Sequence, residues 1–273
     1  MLRARILTAV VVLCLFLAAV FYLSAIFWML LLLALTAAGS WEWSRLAGFS
    51  LNYSIAYLLV TVSLGGELLF VLSGAVSADP STTLLLGVYL ASAAFWMLGA
   101  PWFLKSKHPI RNAGLLALMG WLVLLPICLA LYQLRAVDPF LLLGFMATIW
   151  ISDTAAYFSG RAWGKHKLAP AISPGKTWEG VAGAMGAVFV YALIWSHSAA
   201  DETFARWLVP LLLLLAIMGI IGDLFESLMK RHAGVKDSGN ILPGHGGILD
   251  RIDALTPSLP LAALFLLFLQ SEL

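Results

Sequence analysis

Charge is what this sequence has least of. Asp, Glu, Lys and Arg make up only 11% of its 273 residues, against about a quarter in an average chain. A chain so poor in charge cannot cover itself with a solvated surface, which excludes a soluble globular domain. Cysteine is scarce as well. Cys14 and Cys128 both stand inside apolar runs, so a disulfide framework is excluded and small packing residues are the plain reading. No Cys/His cluster has the spacing of a zinc site. The ten-residue segments of alternating polarity that build a membrane barrel do not occur. What is plentiful is apolar: 62% of the residues are hydrophobic and the mean hydropathy is +0.96. Several runs reach the ~18–20 residues that cross a bilayer. The expected class is an all-α integral membrane protein, one polytopic domain over residues 1–273.

The run from Ile6 to Ala38 is almost unbroken. As one helix it would be roughly 50 Å long, too long for a ~30 Å hydrocarbon core. A tight hairpin near Ser24 is the better expectation, with one long tilted helix as the alternative. Arg3 and Arg5 ahead of this run resemble a signal peptide, but no polar break follows a cleavage site, so uncleaved spans are expected. Further spans are expected near 52–72, 82–100, 112–134, 139–159, 178–197, 207–229 and 257–270, giving about nine helices. The loops alternate in charge. Those with Arg45, with Lys105, Lys107 and Arg111, with Arg161, Lys165 and Lys167, and with Lys230, Arg231 and Lys236 share a side with the N-terminus. The positive-inside rule places that side in the cytoplasm of an inner or plasma membrane, N-terminus in and C-terminus out.

Two polar segments, 160–177 and 230–256, interrupt the apolar pattern on that side. Ser227–Asp253 alone gathers four Lys/Arg, three Asp, two His and five Gly. Acidic residues also stand in or at the spans: Asp153, Glu179, Asp223 and Glu226. A capped or solvated helix end is the plain reading for Asp153 and Glu179. Asp223 lies deeper in its apolar run, where an ionisable group is costly and points to a polar cavity. Asp223, Glu226, Ser227 and Lys230 fall at i, i+3, i+4 and i+7, on one helix face.

Cations and carboxylates so mixed are either simple ion pairs or a phosphate site with a hard divalent ion. Asp153, Asp223, Glu226, Asp237, Asp250 and Asp253 fit a magnesium–polyphosphate site better than an all-protein calcium cage. Ser173-Pro-Gly-Lys176-Thr177 offers hydroxyls and backbone N–H groups just before a helix, a reasonable phosphate site. It lacks the spacing of a Walker A loop. The glycine turn with His245, Gly246 and Gly247 lets backbone approach a ligand. His245 is a turn residue, a ligand or a general acid. No feature points to nucleic acid. A transporter for an anionic substrate, or another membrane phosphotransferase, stands as the alternative, although neither a repeat nor broken midplane helices are visible. The small residues Gly180, Gly183 and Gly186 raise the expectation of helix packing within one chain or in a homodimer.

The run Ser227-x-x-Lys230-Arg231-x4-Lys236-Asp237-x-Gly239-x4-Gly244-His245-Gly246-Gly247-x-x-Asp250-Arg251-x-Asp253 resembles the signature of the phosphatidate cytidylyltransferase (CDP-diacylglycerol synthase) family, without a departure. SDTAAYFSGRAWGKHKLAPAISPGKTWEG at 152–180 and GDLFES at 222–227 are similar to further blocks of that family. The N-terminal half, 1–135, carries no such motif; residues 136–273 would be the catalytic half. The resemblance implies synthesis of CDP-diacylglycerol and pyrophosphate from CTP and phosphatidic acid, with Mg2+ and with a second cation, monovalent or divalent, as an open alternative. On that footing Asp223 and Asp250 are the first expectation for metal ligands, with Glu226, Asp237, Asp253 and Asp153 behind them. Lys230, Arg231, Lys236 and Arg251 would take CTP phosphates or the lipid head group. Ser173, Lys176 and Thr177 would contact the other phosphate.

Overall fold

A computed structural model describes residues 2–75, 79–106, 108–241 and 246–272. Apolar helices dominate it: α1 (Leu2–Tyr22), α2 (Ala25–Leu46), α3 (Leu51–Phe70), α4 (Asp79–Ala94), α5 (Ala100–Ser106), α6 (Ala113–Val137), α7 (Pro139–Trp163), α8 (Trp178–Ser198), α9 (Glu202–His232), α10 (Leu249–Ile252) and α11 (Leu255–Glu272). Seven stretches are long and apolar enough to cross a membrane: α2, Leu51–Gly74, Thr83–Ser106, α6, α7, α8 and α9. Val10–Tyr22 in α1 and Leu255–Leu269 in α11 are shorter apolar helices.

The break expected at Ser24 is present. Ser24 is extended, with φ −64° and ψ 161°, and the Phe16 and Trp28 rings meet at 6.3 Å across the bend. The sequence-distant Arg135 secures it. Its guanidinium donates to the carbonyls of Val20 (2.7 Å) and Leu23 and lies 5.0 Å over the Trp28 ring. The last carbonyls of a helix have no partner within it, and a cation there also suits the helix dipole.

The span expected at 82–100 runs on to Ser106. Pro101 has no N–H for the carbonyl four residues back, and the backbone widens into a π-turn at Phe95–Gly99 just ahead of it. α6 is the central helix. Every residue from Val123 to Leu134 is buried, as expected of a helix apolar on all sides. Gln133, polar and buried in that stretch, is satisfied: Tyr89 donates to it at 2.9 Å.

The expected loop at 160–177 is instead partly strand. β1 (Lys167–Ala169) and β2 (Ser173–Thr177) form a short antiparallel hairpin, pairing Lys167 with Thr177 and Ala169 with Ser173. α7 and α8, which flank it, pack closely because their contact face is small. A Cβ added to Gly183 would strike the Ser159 hydroxyl, and one on Gly180 would come within 3.0 Å of the Ala156 carbonyl. Gly180 and Gly183 thus serve contacts within one chain and lend a homodimer no support.

Candidate active site

The hairpin and the C-terminal turns of α9 meet. Thr177 caps α8, its hydroxyl accepting from the Gly180 N–H at 3.1 Å, and this fixes where the preceding strand ends. Lys176, one residue earlier, reaches across to Asp223 on α9 at 2.6 Å. Asp153 on α7 lies in electrostatic range of both. Arg231 binds the hairpin turn to the end of α9, donating from Nε to the Ile172 carbonyl at 3.3 Å. The two polar segments therefore form one site. His166 and Glu179, 2.7 Å apart, close the flank of the hairpin.

A second lysine joins α9 to α10. Lys230 donates to Asp250 at 2.6 Å and lies 3.3 Å from Glu226. The other Asp250 oxygen accepts from the Ser238 N–H (2.8 Å), the Ser238 hydroxyl (3.0 Å) and the Gly247 N–H (2.8 Å). Burial works against ionisation here. The bonds from Lys230, Gly247 and Ser238 outweigh it and hold the Asp250 carboxyl below its ordinary range. Asp250 thus organises the turn. Gly246 in that turn has φ +84°, and a Cβ there would lie 2.6 Å from an Asp250 oxygen; glycine alone suits both constraints.

Glu226 differs. It is buried, and neither carboxylate oxygen has a hydrogen-bond partner among the described residues. Its electrostatic neighbours are Asp253, Lys230 and Asp250. Burial, and after it the charge of Asp223, push the Asp253 carboxyl up. Helix proximity creates this crowding. Gly222 brings α9 against the Asp253 carbonyl and the Pro257 ring, where a side chain would not fit.

The residue that the sequence reading missed is Glu42. It stands on α2, far from either motif block, and is 1% exposed. Its carboxylate accepts from the Ile248 N–H (2.9 Å), the Leu249 N–H (2.9 Å) and the Ser238 hydroxyl (3.0 Å). The first two are free N–H groups at the start of α10, where an anion is favoured. The signal was present: Glu42 is an acid between Trp41 and Trp43 at the end of an apolar run. Gly247 gives it room, because a Cβ there would strike both the Glu42 carboxylate and the Ser238 hydroxyl. Gly247→Ala should accordingly cost roughly 1–3 kcal/mol by overpacking, read as a lower melting temperature in detergent. Gly66→Ala, inside α3 with open space around it, is the control that should not lower the melting temperature.

The other expected site residues are placed as follows. Lys236, Asp237 and Arg251 are exposed beside the turn, and a Cβ added to Gly246 would lie 3.6 Å from the Asp237 Cβ. Ser173 begins β2. Thr177 is buried in its capping role. Pro243, Gly244 and His245 lie outside the described residues. No group of three or more His, Cys, Asp and Glu side chains among the described residues forms a ready metal cage. The buried Glu226 carboxylate, ion-paired with Lys230 and beside Asp253 with Asp223 close by, nevertheless fits a hard cation that takes its remaining ligands from phosphate and water.

A polytopic membrane bundle with lysines and carboxylates interleaved at one end is the architecture of an enzyme that handles phosphates at a membrane surface. The sequence matches the cytidylyltransferase family over residues 3–269. It is similar to the phosphatidate cytidylyltransferases of Pseudomonas aeruginosa, 37% identical over 97% of this chain and 97% of that protein, and of Haemophilus influenzae, 35% identical over 98% and 99%. That of Brucella suis is 40% identical over 85% of this chain and 82% of its own length. The chain belongs to the cytidylyltransferase family.

Proposed function

We infer that this protein transfers the cytidylyl group of CTP to phosphatidic acid, giving CDP-diacylglycerol and pyrophosphate. The observation that carries the reading is the convergence of two lysine–carboxylate pairs, Lys176–Asp223 and Lys230–Asp250, from separate motif blocks. A phosphate monoester is already ionised near neutral pH, so no strong base is needed. An oxygen of the lipid phosphate bonds to the α-phosphorus of CTP, the bond from that phosphorus to the oxygen bridging the β-phosphate breaks, and pyrophosphate leaves with the electron pair. The obstacle is repulsion between two polyanions, and catalysis rests on neutralisation and in-line positioning.

Each lysine is held by a carboxylate before substrate arrives. Incoming phosphates compete for Lys176 and Lys230, with Arg231, Lys236 and Arg251 around the rim. The carboxylates so released, Asp223 and Glu226, together with Asp253 beside them, are where a divalent cation, magnesium in this proposal, would be held. Such an ion, when bound, supplies charge neutralisation for the polyphosphate and the leaving group. Asp250 keeps the turn in place, and Asp153 adds negative potential beside Asp223. The loop charges support a cytoplasmic site in an inner or plasma membrane, with the lipid arriving from the bilayer.

The decisive test supplies labelled CTP, phosphatidate and Mg2+ to purified protein. Lipid-soluble cytidine label should appear in step with pyrophosphate. Chelation with EDTA should stop the reaction and added Mg2+ should restore it. Uptake of label into vesicles without phosphatidate would point to a transporter instead.

A further inference from the structure

Lys176 is carried to the charged cluster on a strand that has little support of its own. β2 is backed by β1, which is three residues long, and the register shifts between Lys167 and Ala169. A two-stranded hairpin alone is marginally stable. The lysine stem is long and flexible. Where its ammonium meets Asp223, at 2.6 Å, therefore depends on how the backbone of β2 is held. The tip is held by the buried Ile172, whose carbonyl accepts from Arg231. The root is held by α8. The Trp178 N–H donates to the His166 carbonyl at 2.9 Å. In return the His166 N–H donates to the Glu179 carboxylate, 3.2 Å from each oxygen, and His166 Nδ1 lies 2.7 Å from Oε1. Both backbone groups of His166, the residue that leads into β1, are thus bound to the first turn of α8. An acid in that turn ordinarily serves its own helix. Here Thr177 already caps α8, and the Glu179 carboxylate reaches a residue 13 positions earlier in the chain.

We propose that Glu179 is a positioning residue for cytidylyl transfer: by holding His166 it fixes the root of the hairpin, and so sets where Lys176 meets the incoming phosphate. The proposal rests on the reading of the protein as a phosphatidate cytidylyltransferase and adds to it a residue that acts through Lys176. The backbone bond carries the effect. The His166 ring is 79% exposed, and an ion pair so open to water contributes little. The bond to the His166 N–H, by contrast, leads directly into β1, whose first residue, Lys167, pairs with Thr177 beside Lys176. The ring and the backbone bond can therefore be told apart by substitution.

The test measures kcat and KM with CTP and phosphatidate for Glu179→Ala, Glu179→Gln, His166→Ala, Lys176→Met and the double variant Glu179→Ala with Lys176→Met. Glu179→Ala should lower kcat about ten-fold and leave KM for CTP within about two-fold, because positioning counts most in the transition state. Glu179→Gln keeps an oxygen to accept from the His166 N–H, and His166→Ala keeps the backbone bond itself. Both should stay within about three-fold of wild type. The double variant should be no slower than Lys176→Met alone, since an effect that passes through the lysine is not additive with its loss. A further multiplicative loss in the double variant would overturn the proposal, as would a Glu179→Ala rate within about two-fold of wild type. The Glu179 side chain is 24% exposed, so its variants should fold. Amide hydrogen exchange in Glu179→Ala should rise over residues 166–177 with α6 still protected. Unchanged exchange there would also overturn it. Failure of the underlying enzyme reading shows separately, as no product from wild-type protein, and removes the proposal with it.

Discussion

Replacing Lys230 with methionine should nearly abolish cytidylyl transfer. Lys230 is the cation shared by Asp250 at 2.6 Å and Glu226 at 3.3 Å. Without it, two carboxylates face each other in a site that is largely buried. Removing one partner of a buried ion pair costs about 3–5 kcal/mol, because the remaining charge is uncompensated. The loss of a charge-stabilising group at the reacting phosphates should cost a further factor of about 10²–10³ in kcat. The two effects can be separated. Lys230→Met combined with Glu226→Gln removes one of the stranded charges, so its melting temperature should recover much of the loss. Its activity should not recover. A Lys230→Met protein that keeps its rate within ten-fold of wild type would sink the assignment of this lysine to the phosphates.

Glu42→Ala should be comparably severe, through a different route. The carboxylate accepts three hydrogen bonds, two of them from the first N–H groups of α10. Each donor left buried and unpaired costs about 1–3 kcal/mol. The segment that loses them carries Ser238, Gly247 and Asp250, so the turn should loosen and Lys230 should lose its fixed partner. Amide hydrogen exchange should rise selectively over residues 238–241 and 246–253, with α6 still protected. Activity should fall by about 10²-fold or more as positioning is lost. Glu42→Gln is a telling intermediate. Its amide keeps an acceptor for one or two of the donors but turns an N–H toward another, so it should fall between wild type and Glu42→Ala. Unchanged exchange and rate in Glu42→Ala would show that the turn is held by other means.

Much of the architecture was legible because hydropathy is a local property. The placing of the long apolar runs, the break at Ser24 and the polar stripe from Asp223 to Lys230 can each be read from neighbouring residues and helical geometry. One span expected to end at residue 100 runs on to Ser106, since a lysine such as Lys105 can end a span with its stem in the hydrocarbon. The β-hairpin at 167–177 was missed because the stretch is short, polar and rich in Gly and Pro, which reads as loop.

The charged residues were found easily, but their division of labour was not. Asp250 and Glu226 look alike in the sequence as carboxylates beside lysines and glycines. Folding gives the first four hydrogen bonds and buries the second with none among the described residues. That difference arises from where α9, α10 and the intervening turn meet.

By itself, then, the sequence determined a helical membrane protein with its polar chemistry gathered at one end, because too little charge and too many apolar runs leave no other stable arrangement. Only the tertiary structure decided which cation meets which carboxylate. It also decided that Glu42 on α2 anchors a turn some two hundred residues later in the chain. Such pairings depend on distances between segments far apart in sequence, set by the packing of whole helices against α6, and no local pattern of residue types records them.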